Sequence, residues 1–530
     1  MEFKNLTDSD KELIGATHAN SSEPWDKRMA KLQSIFGVSE RTVRRWIKNL
    51  GFSKEDKTGI ESSEQLDIAK TKEHTKKKYY LITWAQNNTD VHGKMLTNME
   101  AYADFLEAEI LVIAGRYRNP TSLSASDTIK HEEETNRIFW DDKIDKYLTA
   151  NRHNIHKYLQ VLADVKTQPT ADEPLTGFEG FSGVESSILG HPKQHLKSLP
   201  ILNGYPHKVI MSTGAITHPN YTDTKAGKKG EFNHIYGFIV VEIRDEEVFH
   251  IRNVNVDDSG EFNDLFFNVK AGKVTRNKEI EGIVLGDEHS GWEDWDVLTE
   301  TKRLFEELKP KKVVLHDIFD AYSISHHHES DPFLRYRKSQ DDKDVLEYEI
   351  DGMMELLEEF NDKDYDTVIV RSNHDDHLDQ WLKRQDWKRD CHNALTYMEL
   401  STKILKGEAE NGVIPALIGE RFPNFKCLGI NDSYIINGIE CGLHGDHGAN
   451  GSRGSATQFK KLNVRTITGH THAPFIAGGA YGVGTSTMLR LEYNKGLSSW
   501  MNAHVTIDRN GKRQVIMFAD GNFTTLYDLL

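Results

Sequence analysis

Residues 282–289 read GIVLGDEH: an apolar run, a glycine, and then an acid and a histidine separated by one residue. Residues 313–320 (VVLHDIFD) and 367–375 (TVIVRSNHD) repeat the arrangement of an apolar run followed by polar side chains. Helical patterns lie between these stretches, and such alternation is typical of a layered α/β domain. The sequence therefore predicts an α/β domain over residues 276–530.

Polar clusters follow five apolar stretches of this region. They contain Asp287 and His289, then His316, Asp317 and Asp320, then Asn373 and His374, then His444, and finally His470 and His472. Loops at the carboxyl ends of strands in an α/β sheet meet at one crevice, so these loops can build a single site. A single histidine is common on a protein surface or in a core, whereas five polar clusters in this order indicate one functional site.

The side chains in these clusters suit divalent metal ions. Carboxylates, imidazoles and an amide oxygen, with no thiolate, favour Mn²⁺, Mg²⁺, Fe²⁺ or Zn²⁺ over soft metals. Residues two apart in an extended chain point to the same side, so Asp287 and His289 can bind one ion. The same spacing holds for His470 and His472. The clusters therefore predict a metal centre.

The ordered series DEH, HDIFD, NHD, HGD and GHTH resembles the calcineurin-like metallophosphoesterase superfamily. The pattern of that superfamily is D-x-H, G-D-x-x-D, G-N-H-[DE], H and G-H-x-H. The resemblance implies a layered α/β/β/α sandwich that hydrolyses phosphoesters. It also implies two divalent metal ions per site, with Mn²⁺ as the first expectation and Mg²⁺, Fe²⁺ or Zn²⁺ as alternatives.

The same resemblance implies a role for each matching residue. One ion would be held by Asp287, His289 and His472, the second by Asn373, His444 and His470, and Asp317 would bridge the two. His374 would contact the scissile phosphate and assist the leaving group, while Asp320 would orient His374. A hydroxide activated by both ions would attack phosphorus in line.

Three positions depart from the superfamily pattern. His316 and Ser372 stand where it has glycine, before Asp317 and Asn373. Glycine usually marks a tight backbone, but neither change removes a ligand, so activity is expected to remain. Ala321 stands where the Ser/Thr phosphatases of the superfamily carry arginine, which argues against that branch.

A second pattern lies near the N-terminus, in residues 32–53, LQSIFGVSERTVRRWIKNLGFS. Two apolar helical faces are separated by Gly37, which allows a tight turn, and by Ser39, a favourable N-cap. The segment resembles the helix-turn-helix of resolvase-like and homeodomain-like DNA-binding domains. Its second helix would present four basic side chains to DNA, namely Arg41, Arg44, Arg45 and Lys48. The alternative is a small helical domain with a solvated basic face, or one that binds protein.

The chain of 530 residues is long enough for several domains. Residues 1–54 would form the helix-turn-helix domain, 55–78 a charged linker, 79–275 a second α/β domain of unknown role, and 276–530 the metallophosphoesterase domain. Strand patterns such as YYLITWA and IYGFIVVEI support the α/β class for residues 79–275. No internal repeat is evident in the sequence.

Composition limits the possible partners and the compartment. The chain is 37% hydrophobic and 28% charged, without a signal-peptide pattern or the ~18–20 apolar residues in a row that span a membrane. Its three cysteines are far apart, as expected in a reducing cytoplasm, which would be the host cytoplasm if a phage encodes the chain. The net charge of −16 opposes nucleic-acid binding, but metal ions would neutralise some acids and the N-terminal segment concentrates basic charge.

A DNA-binding module joined to a two-metal phosphoesterase predicts a metal-dependent deoxyribonuclease. Within the superfamily, the motif order looks most like the SbcD-type nucleases of double-strand-break repair and phage-encoded DNases. The residues after His472 leave no room for a region that binds an ATPase coiled-coil partner, so a homo-oligomer acting on DNA without one is expected. Two alternatives remain: a phosphodiesterase or phosphatase for nucleotides or small phosphoesters, and a DNA-binding regulator with a vestigial phosphoesterase domain.

Overall fold

The computed structural model describes residues 6–19, 25–39, 42–43, 46–47, 50, 77–116, 139–462, 464–492 and 494–530. The chain divides into two compact units, Met1–Asp67 and Ile68–Leu530. The charged linker predicted over residues 55–78 lies, except for its last two residues, outside the described residues. None of the helices in the described parts of the chain is long and apolar enough to cross a membrane.

The first unit contains helices α1 (Asp8–Ala19) and α2 (Trp25–Phe36). Helix α2 ends where Gly37 adopts a φ of 61°, a left-handed conformation that glycine accepts without strain. Val43, Trp46 and Ile47 are buried in one cluster with Leu32 of α2. The basic residues predicted to contact DNA lie outside the described residues, namely Arg41, Arg44, Arg45 and Lys48.

The second unit mixes strands and helices, as predicted for an α/β protein. Its strands are β1 (Tyr79–Ala85), β2 (Glu109–Ala114), β3 (Leu148–Thr149), β4 (Arg152–His156), β5 (Leu159–Leu162), β6 (Ser186–Leu189), β7 (His195–Leu199), β8 (Lys208–Ser212), β9 (Gly237–Ile243), β10 (Phe249–Asn255), β11 (Phe262–Asp264), β12 (Phe267–Lys270), β13 (Lys273–Arg276), β14 (Gly282–Asp287), β15 (Lys312–His316), β16 (Asp366–Val370), β17 (Lys426–Cys427), β18 (Ile435–Ile436), β19 (Ile439–Glu440), β20 (Arg465–Thr468), β21 (Phe475–Ala477), β22 (Ala480–Gly482), β23 (Ala503–Ile507) and β24 (Arg513–Met517). Its helices are α3 (Gly93–Leu106), α4 (Lys225–Phe232), α5 (Trp295–Leu308), α6 (Pro332–Gln340), α7 (Leu346–Glu358), α8 (Asn373–Arg384), α9 (Ala394–Leu405), α10 (Val413–Arg421) and α11 (Ala456–Phe459). The α/β class is confirmed.

These strands form four sheets. A five-stranded sheet has the order β10-β9-β1-β2-β3, and a six-stranded sheet has the order β17-β16-β15-β14-β23-β24. A ten-stranded sheet has the order β18-β19-β20-β22-β21-β7-β8-β6-β5-β4, and β11-β12-β13 form a small separate sheet. Successive residues of a strand face opposite sides, so each large sheet can serve two cores.

The sheets pack in layers. Ile283 and Leu285 of β14 belong to a core shared with helix residues such as Leu304 of α5. Val284, between them, belongs to a second core shared with residues of the ten-stranded sheet such as Ile467. The six-stranded sheet therefore lies between helices on one face and the ten-stranded sheet on the other.

Strands from both predicted α/β domains share the ten-stranded sheet. Strand β7, from residues 79–275, pairs antiparallel with β21, from residues 276–530. The same residues fall within one compact unit. The boundary predicted between residues 275 and 276 therefore does not divide the structure, because backbone hydrogen bonds and a common core cross it.

The two halves of the second unit repeat one topology. In the first half, β1 pairs in parallel with β2 and antiparallel with β9, while β2 continues in parallel to β3 and β9 antiparallel to β10. In the second half, β14, β15, β16, β23 and β24 pair in the same order and directions. The first strand of each half, β1 or β14, is followed by a helix of 14 residues, α3 or α5. In both helices the C-cap residue has a left-handed backbone conformation.

The ten-stranded sheet repeats in the same way. Its halves β4-β5-β6-β8-β7 and β18-β19-β20-β22-β21 have identical sequences of parallel and antiparallel pairings. Equivalent strands also meet where the halves join. Strand β7 pairs with β21, and Asn253 of β10 bonds through its side chain to Arg513 and Val515 of β24. Contacts between equivalent elements are the mark of a two-fold arrangement.

Candidate metal centre

The predicted ligands gather at the carboxyl ends of the strands of the six-stranded sheet and at the end of β20. Asp287 is the last residue of β14, Asp317 follows β15, and Asn373 opens α8 after β16. Ser372 caps α8 in a reciprocal capping box with Asp375, which fixes the direction in which Asn373 leaves the sheet. Parallel strands place these ends side by side, as the sequence predicts.

One group of ligand atoms is fully buried. Side-chain atoms of Asp287, His289, Asp317 and His472 all lie within 4.8 Å of one another. The Nε2 atom of His472 lies 3.0 Å from Asp287 Oδ2 and 3.0 Å from His289 Nε2. His289 Nε2 is 3.4 Å from Asp317 Oδ2. This group could hold a metal ion.

A second group adjoins the first on the other side of Asp317. His444 Nε2 lies 3.4 Å from Asp317 Oδ2 and 3.1 Å from the side-chain oxygen of Asn373. The rings of His444 and His470 are 5.2 Å apart, in an edge-to-face arrangement. The backbone N–H of His470 donates to Asp287 Oδ2 at 2.7 Å. Asp317 Oδ2 is therefore equally close to His289 and to His444.

His374 and Asp320 lie at the rim of the first group. The His374 ring is 4.7 Å from the ring of His289, and its Nδ1 is 2.5 Å from the backbone carbonyl of Asp320. The Asp320 carboxylate is 2.8 Å from His289 Nδ1 but 3.8 Å from His374 Nδ1. Asp320 thus contacts His374 mainly through its backbone and His289 through its side chain.

Unpartnered polar atoms in the centre fit a bound cation. Asp287 Oδ1 and Asp317 Oδ1 are buried and accept no hydrogen bond from any described residue. Leaving a carboxylate oxygen buried and unpaired is costly, whereas a divalent ion would satisfy both oxygens. The donor set of carboxylates, imidazoles and one amide oxygen is also the set that hard or borderline divalent ions bind.

The backbone around the ligands is strained. His289, Asp317, His470 and His472 have φ angles of 42°, 52°, 71° and 52°, in the left-handed region that residues other than glycine seldom adopt. Gly469 is tightly confined, because a Cβ atom there would lie 2.2 Å from Asp287 Oδ1. A strained backbone conformation costs free energy, so it is kept only where the surrounding structure holds it in place, often at functional sites.

The pKa values of the ligands reflect their mutual contacts. Burial by itself would raise the pKa of Asp317, but the imidazoles around it, chiefly those of His374 and His289, lower it well below its usual range. Burial would lower the pKa of His289, but Asp317 and Asp320 raise it to about 9. Against burial, Asp317 likewise raises the pKa of His444 to about 9. The carboxylates therefore favour positive charge at His289 and His444, whereas burial lowers the pKa of His470 and His472.

Three further side chains at the centre have no role assigned by the superfamily pattern. His316 is fully buried with its ring 5.7 Å from that of His444, and neither of its ring nitrogens bonds to a described residue. Trp292 donates its Nε1–H to Asp320 at 3.1 Å. The ring of Trp500 lies 4.1 Å from that of His472. Of these three side chains, only His316 can be noticed in the sequence, because it replaces a glycine of the superfamily pattern.

The first half of the second unit carries different residues at the equivalent positions. A Cβ on Gly469 would meet Asp287 and His316, and a Cβ on Gly190, after β6, would meet Trp84 and Ile113. Trp84 therefore stands where the second half has Asp287. The segment GHPK at 190–193 likewise matches GHTH at 469–472, with Lys193 in place of His472.

The similarity of this chain to a known protein extends over most of its length. The chain is 33% identical over 505 residues to a protein of Escherichia phage T5 named Protein A1, and the match covers 91% of this chain and 88% of that protein. No family model matches the chain, and no solved structure matches it. On the extent of this similarity, the chain belongs to the family of Protein A1 of Escherichia phage T5.

Proposed function

We propose that the chain is a metal-dependent deoxyribonuclease of the metallophosphoesterase type, which hydrolyses phosphodiester bonds of DNA. The observation that carries the proposal is the buried cluster around Asp317, whose members occur in the order of the superfamily motifs. The packing of the ten-stranded sheet against a sheet covered by helices supports the proposed α/β/β/α sandwich.

The proposed ligands fall into two sets, one for each of two divalent ions. Asp287, His289 and His472 would hold one divalent ion, Asn373, His444 and His470 would hold a second, and Asp317 would lie between them. Bound divalent ions would polarise the phosphoester and lower the pKa of water, and Mn²⁺ suits a site that mixes imidazole with oxygen ligands.

His374 is the side chain best placed to act on the substrate. It remains 19% exposed at the rim, whereas the ligands His289 and Asp317 are almost fully buried. Because the carbonyl of Asp320 only accepts hydrogen bonds, His374 Nδ1 carries the hydrogen in that contact. Nε2 is the other ring nitrogen, and in the imidazolium form, where both nitrogens carry a hydrogen, it would give a proton to the departing oxygen, a contribution of roughly 10²–10⁴ in rate.

DNA is proposed as the substrate because the N-terminal segment combines an apolar helical core with four basic residues. Homo-oligomerisation, proposed with it, would bring more than one such segment to the same DNA. Hydrolysis of nucleotides or small phosphoesters is the alternative within enzymes. A vestigial site in a DNA-binding regulator fits less well, since every ligand of the superfamily pattern is present.

The deciding experiment offers several substrates to the full chain with Mn²⁺. Plasmid, linear duplex, single-stranded DNA and a chromogenic phosphodiester should all be tested, with chelated protein as the blank. We expect DNA cleavage that depends on added metal, with Mn²⁺ at least as effective as Mg²⁺. Undiminished DNA cleavage after exhaustive chelation would overturn the metal centre, and cleavage of the small diester alone would favour the small-phosphoester alternative.

A further inference from the structure

Helix α6 exposes two large aromatic side chains beside the metal centre. Phe333 is 80% exposed and Tyr336 is 66% exposed. They are three residues apart, so they lie next to each other on one face of the helix. Asp331 caps the helix by accepting from the backbone N–H groups of Phe333 and Leu334. The aromatic pair is thus held on a defined helix, and its rings offer apolar faces on which a ligand ring could stack.

The helix is attached to the loop that carries Asp317 and Asp320. Lys338 Nζ donates to the backbone carbonyls of Tyr322 at 2.6 Å and Ser323 at 2.9 Å. Tyr322 is two residues beyond Asp320, and its ring is 5.4 Å from that of Trp292, which bonds to Asp320. Helix α6 therefore forms part of the surroundings of the metal centre.

A line of histidines leads from the centre towards this helix. The ring of His374 lies 5.0 Å from that of His377, which lies 5.8 Å from that of His326. The ring of His326 lies 3.9 Å from that of His327, tilted by 39°, in the short turn that precedes α6. Imidazole N–H groups can donate to phosphate oxygens, so the line could accommodate a polyanion that leaves the centre in this direction.

Helix α6 is basic within an acidic chain. Its residues 332–340 include Arg335, Arg337 and Lys338 and no acid, whereas the whole chain has a net charge of −16. Arg335 and Arg337 are exposed, and within the described residues neither forms an ion pair. Exposed aromatics interleaved with free guanidinium groups are typical of surfaces that bind single-stranded nucleic acid.

We infer that α6, together with His326, His327 and His377, forms the surface that holds unpaired nucleotides next to the scissile phosphodiester. Bases would stack on Phe333 and Tyr336, while phosphates would face the arginines and the histidines. The inference rests on the proposed deoxyribonuclease function and deepens it, because stacking requires bases that are not paired in a duplex. The substrate at the centre is then single-stranded or locally opened DNA.

The test compares DNA binding by the full chain and by the double variant Phe333→Ala, Tyr336→Ala. Binding of a fluorescent single-stranded oligonucleotide is measured by anisotropy in chelator, so that cleavage does not contribute. We expect affinity to fall about tenfold or more, as for the loss of base stacking. Hydrolysis of a chromogenic diester with Mn²⁺ should be unchanged. Phe232→Ala, which removes an 87% exposed aromatic from α4, is the matched control and should change neither.

An oligonucleotide in which every nucleotide is abasic separates stacking from charge. It should bind the full chain and the double variant equally, because it has no bases to lose. Equal affinity of both proteins for the normal oligonucleotide would overturn the inference, as would the same loss with abasic DNA. A changed oligomeric state of the variant in sedimentation would make the surface a protein contact instead. If the unmodified chain cleaves the small diester but no DNA, the proposed function itself fails.

Discussion

Asp317 and His374 lie close together, yet the proposal gives one a metal-binding role and the other a proton-transfer role. Asp317→Ala should abolish hydrolysis and lower metal content at both positions, since its Oδ2 faces His289 and His444 alike. His374→Ala should retain the metal and lose roughly 10²–10⁴ in turnover. Elemental analysis and diester kinetics on the same preparations check both expectations.

A nearby histidine provides the control for these variants. His447 is exposed and pairs with Asp446, outside the buried cluster. His447→Ala should leave metal content and turnover unchanged. The roles would have to be exchanged if His374→Ala lost an ion while Asp317→Ala kept both.

His504 is a buried histidine that ties the strand of Asp287 to a helix. Its Nδ1 accepts from the Gly286 N–H at 3.0 Å, and its Nε2 donates to Thr301 Oγ1 at 2.8 Å. Burial lowers its pKa to about 3. A histidine in the unfolded chain has a pKa of ~6.5, so below that pH the unfolded state binds a proton that the folded state does not. Stability from His504 is therefore complete above pH ~6.5 and is lost as pH falls toward 3.

We expect Tm to decrease between pH ~6.5 and pH ~4, and to decrease less steeply in His504→Asn, which cannot titrate in this range. Thermal unfolding followed by circular dichroism at several pH values measures both slopes. The variant should also have a lower Tm at neutral pH, because it loses a buried hydrogen bond. Parallel slopes for the two proteins would contradict the assignment of His504 as a neutral buried group.

Among the elements, the N-terminal segment has a role that sequence analysis alone assigns. Removing residues 1–54 should weaken binding to duplex DNA and flatten its dependence on salt, since fewer cations would displace counterions from phosphates. Arg44→Ala with Arg45→Ala should reproduce that loss. Hydrolysis of a small diester should hardly change. Equal affinity and equal salt slope with and without the segment would indicate a protein-binding module instead.

The elements that could be predicted are those with continuous apolar runs. β14, β15 and β16 follow such runs, and the polar residues at their ends meet as the α/β pattern predicts. The stretch before His444 is extended, as predicted, but a turn divides it into β18 and β19, and strands of two residues are too short for the sequence to show that division. Helix α6 also escapes prediction, because its apolar residues are exposed rather than aligned on a buried face.

At the scale of the whole molecule, the sequence does not predict the contacts between segments that are distant in the chain. The domain boundary predicted at residue 275 does not divide the structure, because β7 and β21 pair across it. The repeated topology is hidden because its motifs have diverged, so that GHPK stands where the other half has GHTH. The gathering of the Asp and His side chains into one buried group could be predicted because they keep their spacing in the sequence, while Trp292 and Trp500 approach the group through tertiary packing alone.

The repeated topology also determines how many metal ions the proposed function predicts. Trp84 and Lys193 occupy the positions of the ligands Asp287 and His472 in the first half, and neither an indole nor an ammonium group binds a divalent cation. We expect titration with Mn²⁺ to saturate at about two ions per chain. Lys193→Ala should leave this number unchanged, whereas Asp287→Ala should reduce it. Saturation near four ions would mean that the first half has a centre of its own.

The junction of β7 with β21 has a consequence for any attempt to isolate the second half of the second unit on its own. A fragment of residues 276–530 would expose β21 as an open edge, along with β24, and open strand edges pair readily with other chains. Since equivalent strands meet at both joins of the intact chain, two such fragments could offer each other the same edges. The fragment should therefore elute from size exclusion as a dimer or aggregate. In the intact protein, the first half, which contains Trp84, covers these edges and so takes the place of a second copy.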